Sequence, residues 1–249
     1  MLPASKSIGQ SFVELQTVDS TNNYATALLH EGMAHHGMVV FAHRQTAGKG
    51  QRNKTWHTGN GENLALSIIV KPFGLPVSQL FLLSMATAVG LHHFFSRYAG
   101  AGARLKWPND LYWGDRKTGG ILIENSIAGD EWKHAVVGIG TNINQVRFEG
   151  LSQKAASLKQ ITGVDYEVVT MAKELCGNIQ GAYEILQRDP QLIITAYQQH
   201  LYKLNEVVRL RKGPRVFEAT VKGVTTSGQL MVHHTVEELF SVGEVEWIV

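Results

Sequence analysis

A glycine-rich basic stretch at 43–56 constrains this chain more than any other segment, because it lies between two short apolar runs. The runs at 38–42 and 64–70 have the length and composition of buried strands. The stretch itself carries closely spaced glycines and several cations, among them Lys49 and Arg52. Glycines let a backbone approach a ligand, so that N–H groups can point at phosphate or carboxylate oxygens. The pattern predicts an anion site beside a sheet, although a solvated connecting loop is the commoner meaning of such a sequence.

The composition limits the class of protein. The chain has 249 residues, 44% of them hydrophobic, and a formal net charge of +2. This size suits one large domain or a large and a small one, and the near-neutral charge argues against bulk nucleic-acid binding. No apolar run reaches the length of a membrane span, and residues 1–10 lack the apolar core of a secretory signal. We therefore expect a cytoplasmic protein that binds no membrane.

The thiol and imidazole groups give no clear metal signal. Cys176 is the single cysteine, which excludes a disulfide framework and a thiolate cluster, and it is interpreted as a packed helical residue. The histidine pairs at 35–36, 92–93 and 233–234 are interpreted as surface or packing residues rather than metal ligands. Neighbouring side chains on a helix or strand point apart, so an adjacent pair is a poor chelate.

Hydrophobic periodicity predicts an α+β protein with a mixed, largely antiparallel sheet flanked by helices, because most of the strands follow one another through short turns. The predicted strands of this domain are 11–18, 38–43, 62–70, 104–107, 111–113, 118–126 and 133–140. The predicted helices are 23–31, 77–98, 154–162, 166–187 and 191–202. Short alternating runs then predict a small β module, at 207–210, 216–224, 230–233 and 245–249. We place the domain boundary between 203 and 204, which gives domains 1–203 and 204–249.

Three local patterns allow both a structural and a functional interpretation. Ser20 and Thr21 suit the cap of a helix, and hydroxyls beside a helix N-terminus also suit a polar ligand site. Pro108, Asn109 and Asp110 suit a tight turn. Glycines at 138 and 140 leave one face of a strand bare, which admits a flat ligand or another backbone.

Taken together, four segments resemble the biotin protein ligases in order and spacing. They are Asp19-Ser20-Thr21-Asn22, the stretch 45–56, Lys106-Trp107-Pro108-Asn109-Asp110-Leu111, and 116–124 followed by Gly138-Ile139-Gly140-Thr141-Asn142. The resemblance covers about 19–144 and extends more weakly to the C-terminal module. It implies a class II synthetase-like biotin/lipoate ligase catalytic domain with a small C-terminal SH3-like β-barrel. About 18 residues precede the first segment, so we expect the form that lacks an N-terminal DNA-binding domain and binds no DNA.

The resemblance implies an ATP-dependent ligase. Biotin and ATP form biotinyl-5′-AMP and pyrophosphate, and biotin then passes to a lysine ε-amine on a biotin carboxyl carrier protein domain. Because a carboxylate attacks an α-phosphate, two anions must meet among cations and N–H donors. The implied small molecules are ATP, Mg²⁺ and the substrate biotin.

Site residues follow from matching this sequence to the family segments. Catalytic roles are implied for Lys117, which is the first choice, and for Lys49 and Arg52. The implied biotin-binding residues are Ser20, Thr21, Asn22, Gln45, Gly48, Lys49, Gly50, Gln51, Lys117, Gly119, Gly120, Leu122, Gly138 and Gly140. The implied ATP-binding residues are Trp56, Asn109, Asp110, Lys117 and Asn142, and Asp110 is also a candidate Mg²⁺ ligand.

The basic loop departs from the family pattern. Relatives commonly carry Gly-Arg-Gly-Arg-Arg-Gly, whereas this chain has Gly48-Lys49-Gly50-Gln51-Arg52-Asn53. Lys49 keeps the charge but lacks the guanidinium fork, and Gln51 carries no charge. We therefore hypothesise a weaker hold on the adenylate than in arginine-bearing relatives.

Three other functions fit parts of the sequence. A lipoate–protein ligase would share the fold and the acyl-adenylate chemistry, and a non-catalytic biotin or nucleotide-binding module would share the pocket. A nucleic-acid binder would depend on the C-terminal β module alone. The sequence also allows a homodimer, since an exposed strand could pair with a second copy or with the carrier domain.

Overall fold

A seven-stranded sheet forms the centre of the computed structural model, which describes residues 7–57, 59–72, 74–148 and 154–248. Its strands are β1 Phe12–Val18, β2 Val39–Gln45, β3 Asn63–Val70, β4 Ala103–Lys106, β5 Asp110–Trp113, β6 Arg116–Ala128 and β7 Glu131–Asn142. Their order across the sheet is β1-β2-β3-β7-β6-β5-β4. β1 and β2 run parallel, and every other neighbouring pair is antiparallel. The prediction of a mixed, largely antiparallel sheet is confirmed.

Helices cover both faces of this sheet. The α-helices in the described residues are α1 Thr21–His30, α2 Leu80–Ala99, α3 Leu158–Thr162, α4 Val168–Arg188 and α5 Pro190–Gln199. Phe41 and Leu66 join the large core with α2 and α4, whereas Val40 and Ile69 face α1 in a smaller cluster. Successive strand residues point to opposite faces, so the apolar runs at β2 and β3 supply both clusters.

The segment Val77–Gly102, which contains α2, is long and apolar enough to cross a membrane by length and composition. That differs from the expectation that no run reaches this length. However, 61% of its most apolar window is buried inside the protein, and Leu91, Phe94 and Phe95 are fully enclosed. The segment therefore has the burial of a core helix of the domain.

The helix predicted to begin at 154 begins instead at Leu158, so this part of the prediction was wrong. The preceding residues run beside Lys117: the Lys117 backbone N–H donates to the Lys154 carbonyl at 2.8 Å, and the Ala156 N–H donates to the Lys117 carbonyl at 2.9 Å. Ser157 then caps α3 in a capping box with Gln160. The long-range backbone pairing therefore prevails over the local helical periodicity.

The C-terminal module is a five-stranded antiparallel sheet, consistent with an SH3-like domain. Its strands are β8 Val207–Lys212, β9 Arg215–Val224, β10 Leu230–His233, β11 Glu237–Phe240 and β12 Glu246–Ile248, in the order β11-β10-β9-β8-β12. β11 was not predicted, because the adjacent charged residues Glu237 and Glu238 interrupt the alternation of apolar and polar residues. The indole N–H of Trp107 donates to the Gly228 carbonyl at 2.9 Å and ties the module to the main domain. The division at 203/204 stays a prediction.

Candidate functional site

Strand register assembles one bare face on the central sheet. Gly140 of β7 stands opposite Ala65 on one side and Gly120 on the other, and Gly120 stands opposite Asp110 of β5. Two residues along β7, Gly138 stands between Ser67 and Leu122. Residues that are directly opposite share a face, so small side chains line a shallow trough with Asp110 at one end and Ser67 toward the other.

A buried polar network closes the Ser67 end of the trough. The Gln45 amide oxygen accepts from the Thr21 backbone N–H at 2.8 Å and from the Thr21 hydroxyl at 3.1 Å. The Ser67 hydroxyl lies 2.8 Å from Thr21 Oγ1 and 2.5 Å from Asn22 Oδ1. Ser20 is the N-cap residue of α1 and is buried, yet its side chain makes no capping hydrogen bond. The hydroxyl at this helix N-terminus is therefore not used in capping, which favours the ligand interpretation over the structural one.

Asn22 has a defined orientation within this network. Its amide Nδ2 donates to Glu124 Oε2 at 2.6 Å and weakly to the Leu122 carbonyl at 3.5 Å. The amide oxygen consequently faces Ser67 and β7. A Cβ at Gly138 would lie 2.4 Å from that oxygen, so a larger residue at 138 would displace the Asn22 amide.

An ion pair occupies the other end of the trough. Lys117 Nζ lies 2.6 Å from Asp110 Oδ1 and 5.7 Å from the centre of the Trp56 indole ring. A Cβ at Gly120 would lie 3.4 Å from both Lys117 Nζ and Asp110 Oδ1. One cationic, one anionic and one aromatic group thus converge above a backbone that has no side chain.

Trp56 also lies against β7. A Cβ at Gly140 would come within 2.4 Å of the Trp56 ring, and the indole Nε1 is buried without a hydrogen-bond partner. The ring therefore lies directly on the trough that the glycines open. Gly119 allows β6 and β7 to lie close together, because a Cβ there would lie 3.0 Å from the Gly140 carbonyl oxygen.

The basic loop is a compact hairpin. The Trp56 N–H donates to the Gly48 carbonyl at 2.8 Å, and the Gly50 N–H donates to the Lys54 carbonyl at 2.7 Å. Gly48 is required here, since a Cβ would lie 2.4 Å from the Trp56 carbonyl oxygen. The loop thereby holds its cations at the edge of the site.

Two cations of this loop point in different directions. Lys49 Nζ lies 3.6 Å from Glu124 Oε1, beside the Asn22 network. Arg52 has a left-handed backbone, with φ of 57°, and a Cβ at Gly243 would lie 3.4 Å from its guanidinium carbon. Arg52 therefore lies against the C-terminal module, and the structure does not bring it to the Lys117–Asp110 pair in this conformation.

A cleft of about 230 Å³ opens between the sheet, α2 and the C-terminal module. Its walls include Gln51, Phe81, Asn109, Ile121, Ser227 and Val242. Asn109 donates from its amide to the Ile121 carbonyl at 2.7 Å. Asn142, which lies on β7, donates similarly to the Ala156 carbonyl at 3.1 Å. Both side-chain amides thus donate to a backbone carbonyl, and the oxygen of each amide could accept a hydrogen bond from a ligand.

Three neighbours of the site were not assigned a role from the sequence. Ser67 is the one polar residue in the otherwise apolar run 64–70 of β3, which is a signal that could have been used. Glu124 ends the segment 116–124, which carries the family resemblance, but no binding or catalytic role was assigned to it. Lys106 is 7% exposed and lies 4.5 Å and 5.3 Å from the ring centres of Tyr112 and Trp247. Burial lowers the pKa of Lys106 to about 8, and the Asp110 charge opposes this shift.

Comparison with known proteins gives related sequences and folds. Residues 14–142 match the biotin/lipoate A/B protein ligase family. The chain is 32% identical over 159 residues to the bifunctional ligase/repressor BirA of Bacillus spizizenii, covering 63% of this chain and 48% of the relative. It is 36% identical over 133 residues to the biotin–[acetyl-CoA-carboxylase] ligase of Paracoccus denitrificans, covering 52% and 53%. The chain thus spans about half the length of these curated relatives.

A solved structure shares the whole fold. The biotin protein ligase of Aquifex aeolicus, in complex with biotin and ATP, superposes with a TM-score of 0.81 over 96% of this chain and 99% of that one, at 23% identity. At this identity the likeness establishes the fold alone. The matched segment 14–142 covers more than half of the chain and contains the trough, the ion pair and the basic loop, and the chain therefore belongs to the biotin/lipoate A/B protein ligase family.

Proposed function

We propose that the protein forms biotinyl-5′-AMP from biotin and ATP and transfers the biotin to a lysine of a biotin carboxyl carrier protein domain. The observation that carries this proposal is the Lys117–Asp110 pair, 2.6 Å apart above a glycine-lined trough whose far end is a buried polar network. A trough with polar groups at one end and a cation at the other suits a long acid whose head is polar and whose carboxylate must meet a phosphate.

The adenylation step requires a cation where the two anions meet. Lys117 is suited to this because its side chain is about one third exposed and its backbone is held by hydrogen bonds to Lys154 and Ala156. We assign Lys117 to the contact with the biotin carboxylate and the α-phosphate, where charge develops in the transition state. Lys49, beside Glu124, would supply a second positive charge near the biotin side.

The ureido head of biotin presents two N–H donors and one carbonyl acceptor. Asn22 Oδ1, Thr21 Oγ1 and Gln45 Oε1 are acceptors in one hydrogen-bonded group that is largely buried, and the Ser20 hydroxyl is a donor without a capping role. Buried polar groups that are left unpaired are costly, so a matched head group is bound selectively. We assign these residues to the ureido head, and Gly138, Gly140 and Leu122 to the apolar chain.

The nucleotide side of the proposal depends on Trp56, Asn109, Asp110 and Asn142. The Asn109 and Asn142 carbonyl oxygens and the Trp56 ring offer acceptors and a stacking surface. Mg²⁺ is commonly held by one or two carboxylates together with substrate phosphates, and the buried Oδ1 of Asp110 beside Lys117 fits one such ligand. Bound there, Mg²⁺ would neutralise charge on the phosphates.

The second step transfers biotin from the mixed anhydride to the acceptor amine. Its main demands are position and the exclusion of water. The Trp56 ring lies on the trough at Gly140, and the basic loop lies at the edge of the site. β1 is the edge of the sheet, whereas β4 is covered because Leu105 exchanges backbone hydrogen bonds with His200 and Tyr202. We propose β1 as the strand at which a carrier domain or a second copy of the chain would pair.

A cytoplasmic location is part of the proposal. Cys176 is 2% exposed, and burial raises the pKa of its thiol to about 12. An inert buried thiol agrees with a packing role and with a reducing compartment. Fractionation of the native host with detection of the protein would check the location.

The experiment that tests the function is biotin-dependent exchange of labelled pyrophosphate into ATP. We expect exchange with biotin and none with lipoate, and a loss of at least about a hundredfold in Lys117→Ala, because that substitution removes the charge at the reacting centre. Lys154→Ala is the matched control, since it deletes a nearby exposed lysine side chain and keeps the backbone contact.

The outcomes of this experiment separate the candidate functions. Exchange with lipoate only would replace biotin by lipoate as the substrate. No exchange with either acid, in a protein that still binds biotin in calorimetry, would favour a non-catalytic binding module. Transfer to a purified carrier domain, followed by mass spectrometry of its lysine, would then test the second step.

A further inference from the structure

Three histidines from distant parts of the chain meet away from the trough. His92 and His93 lie on α2, and His200 is the C-cap residue of α5. One ring nitrogen of each lies within 4.8 Å of the other two, and among the described residues this is the one such group of potential metal ligands. We propose that His92, His93 and His200 bind a divalent transition-metal ion, with Zn²⁺ as the best match.

His92 has the hydrogen bonding of a metal-ligating imidazole. It is 5% exposed, and its Nε2 lies 3.2 Å from the Ala103 carbonyl oxygen and 3.3 Å from Ser96 Oγ. Donation from Nε2 to Ala103 leaves the lone pair on Nδ1, which is buried and has no hydrogen-bond partner. Histidines that bind metals commonly donate their other ring N–H to a backbone carbonyl in this way, and a buried polar atom without a partner is otherwise costly.

The other two ligands have room to adjust. His93 is exposed and His200 is half-buried. The His92 and His200 rings are stacked, with centres 3.8 Å apart and planes at 21°, so His200 must tilt for its nitrogen to converge on the same ion. Zn–N bonds of about 2.0–2.1 Å in a tetrahedron put ligand nitrogens roughly 3.3 Å apart. The nitrogens lie within 4.8 Å of one another, so each distance must shorten by at most about 1.5 Å, which lies within the reach of the two accessible side chains.

The donor set selects the class of metal. Three imidazoles without a carboxylate suit Zn²⁺, Ni²⁺ or Cu²⁺, whereas Mg²⁺ and Ca²⁺ prefer oxygen. With three protein ligands, the exposed side at His93 leaves a fourth position for water. The Arg104 guanidinium, which donates to the Ala101 and Ala103 carbonyls at 2.7 Å, places a positive charge nearby. We therefore expect affinity on the order of micromolar, well below that of closed thiolate sites.

A metal here would join two helices beside β4. The His200 carbonyl accepts from the Leu105 N–H of β4 at 2.8 Å, so the ion would connect α2, α5 and β4 just before the chain enters the C-terminal module. The expected role is structural, since none of the three ligands touches the Lys117–Asp110 pair or the Asn22 network in the contacts of the described residues.

The test uses full-length protein without an affinity tag, dialysed against a chelator. Zn²⁺ and, in parallel, Mg²⁺ are titrated by calorimetry, Co²⁺ is added as an absorption probe of tetrahedral coordination, and the melting temperature is measured with and without Zn²⁺. The variants are His93→Gln and His200→Gln. His233→Gln is the matched control, because His233 is an exposed histidine outside the cluster.

We expect one Zn²⁺ per chain, a melting temperature raised by a few degrees at saturating metal, and no comparable Mg²⁺ binding. Loss of one ligand in His93→Gln should weaken Zn²⁺ binding at least about tenfold, and His233→Gln should bind as the wild type does. Equal Zn²⁺ affinity in His93→Gln and the wild type would overturn the proposal. His93 is exposed, so we expect His93→Gln to fold. Its Zn²⁺ affinity therefore tests the proposal even if His200→Gln does not fold.

Discussion

At the scale of single residues, the site depends on polar side chains whose partners orient them. The Asn22 amide nitrogen donates to Glu124, and the Asn22 amide oxygen accepts from the Ser67 hydroxyl. The Gln45 amide oxygen accepts from the Thr21 N–H, and Lys117 lies against Asp110. Because each group is held in place without a ligand, less conformational entropy would be lost if the proposed ligand binds here.

The uncharged Gln51 leads to a first prediction. Gln51 lines the cleft with Asn109, and Gln51→Arg would add a guanidinium there that can bind phosphate through two N–H groups. In this partly exposed setting we expect about 1 kcal/mol of added binding, which slows release of biotinyl-5′-AMP about fivefold. The measurement is the rate of release from preloaded protein, with Gln51→Met as an uncharged control of similar size. Equal rates for the two variants would contradict the hypothesis.

Lys106 leads to a prediction about pH. Burial lowers the pKa of Lys106 from 10.5 to about 8 in the folded protein. Between pH 8 and 10.5 the unfolded chain binds more protons at this residue than the folded chain does. Raising the pH through this window therefore increases the contribution of Lys106 to the free energy of unfolding, by about 2 kcal/mol between pH 7.5 and 10.

The check compares urea unfolding of the wild type and Lys106→Met at those two pH values. Tyr112 and Tyr202 lie close to Lys106, and burial raises their pKa values, but they are present in both proteins. The difference between the two proteins therefore isolates Lys106. The same pH dependence in both would show that the amine is not desolvated.

At the scale of elements, the site is a consequence of strand register. Gly138 and Gly140 lie two apart on β7, and β6 brings Leu122 and Gly120 opposite them. A one-residue shift of either strand would send these positions to the opposite face of the sheet. The trough therefore depends on the pairing of β3, β7, β6 and β5 as much as on the glycines themselves.

Gly138→Ala tests this dependence. The new Cβ would lie 2.4 Å from Asn22 Oδ1, so Asn22 must move and the polar network must rearrange. We expect the KM for biotin in pyrophosphate exchange to rise at least about tenfold and stability to fall by about 1–3 kcal/mol.

Gly177→Ala is the matched control on α4. A Cβ there meets nothing within 4 Å, so we expect an unchanged KM and a gain of about 0.5–1 kcal/mol from helix propensity. An unchanged KM in Gly138→Ala would remove Asn22 from the biotin site.

At the scale of the whole molecule, the C-terminal module packs beside the cleft. The Gln198 amide forms hydrogen bonds with both the carbonyl and the N–H of Val224, and the Lys106 amine lies over the Trp247 ring. Gln51 and Val242 both line one cleft. The module therefore contributes to the shape of the cleft as well as to stability.

Trp107→Phe tests the connection between the two parts. The substitution removes the indole N–H and leaves the buried Gly228 carbonyl without this donor, which we expect to cost about 1–3 kcal/mol. Chemical denaturation followed by far-UV circular dichroism and by fluorescence would measure the loss. Trp113→Phe is the control, because its bond to the Ala99 carbonyl at 3.2 Å is longer and partly exposed. A larger loss in Trp113→Phe would contradict this role for Trp107.

Much of the architecture could be predicted from the sequence. Apolar runs, either alternating with polar residues or continuous, predicted β2, β3, β6 and β7 to within a few residues. Apolar residues at helical spacing predicted α2 and α4. The mixed sheet and the C-terminal β module followed from the order of these elements. The segments that carry the family resemblance lie where the trough, the loop and the ion pair form. The roles of their residues stay predictions.

Contacts between distant residues could only be decided by tertiary structure. Ser67 joins Asn22 across 45 positions, residues 154–156 pair with Lys117 instead of starting a helix, and Arg52 turns toward Gly243. His200 meets His92 although the pair at 92–93 had suggested side chains that point apart. Local patterns record whether a residue faces a core, because burial repeats with the period of the backbone. They do not predict which residues distant in sequence come into contact, since the packing of the whole chain determines those contacts.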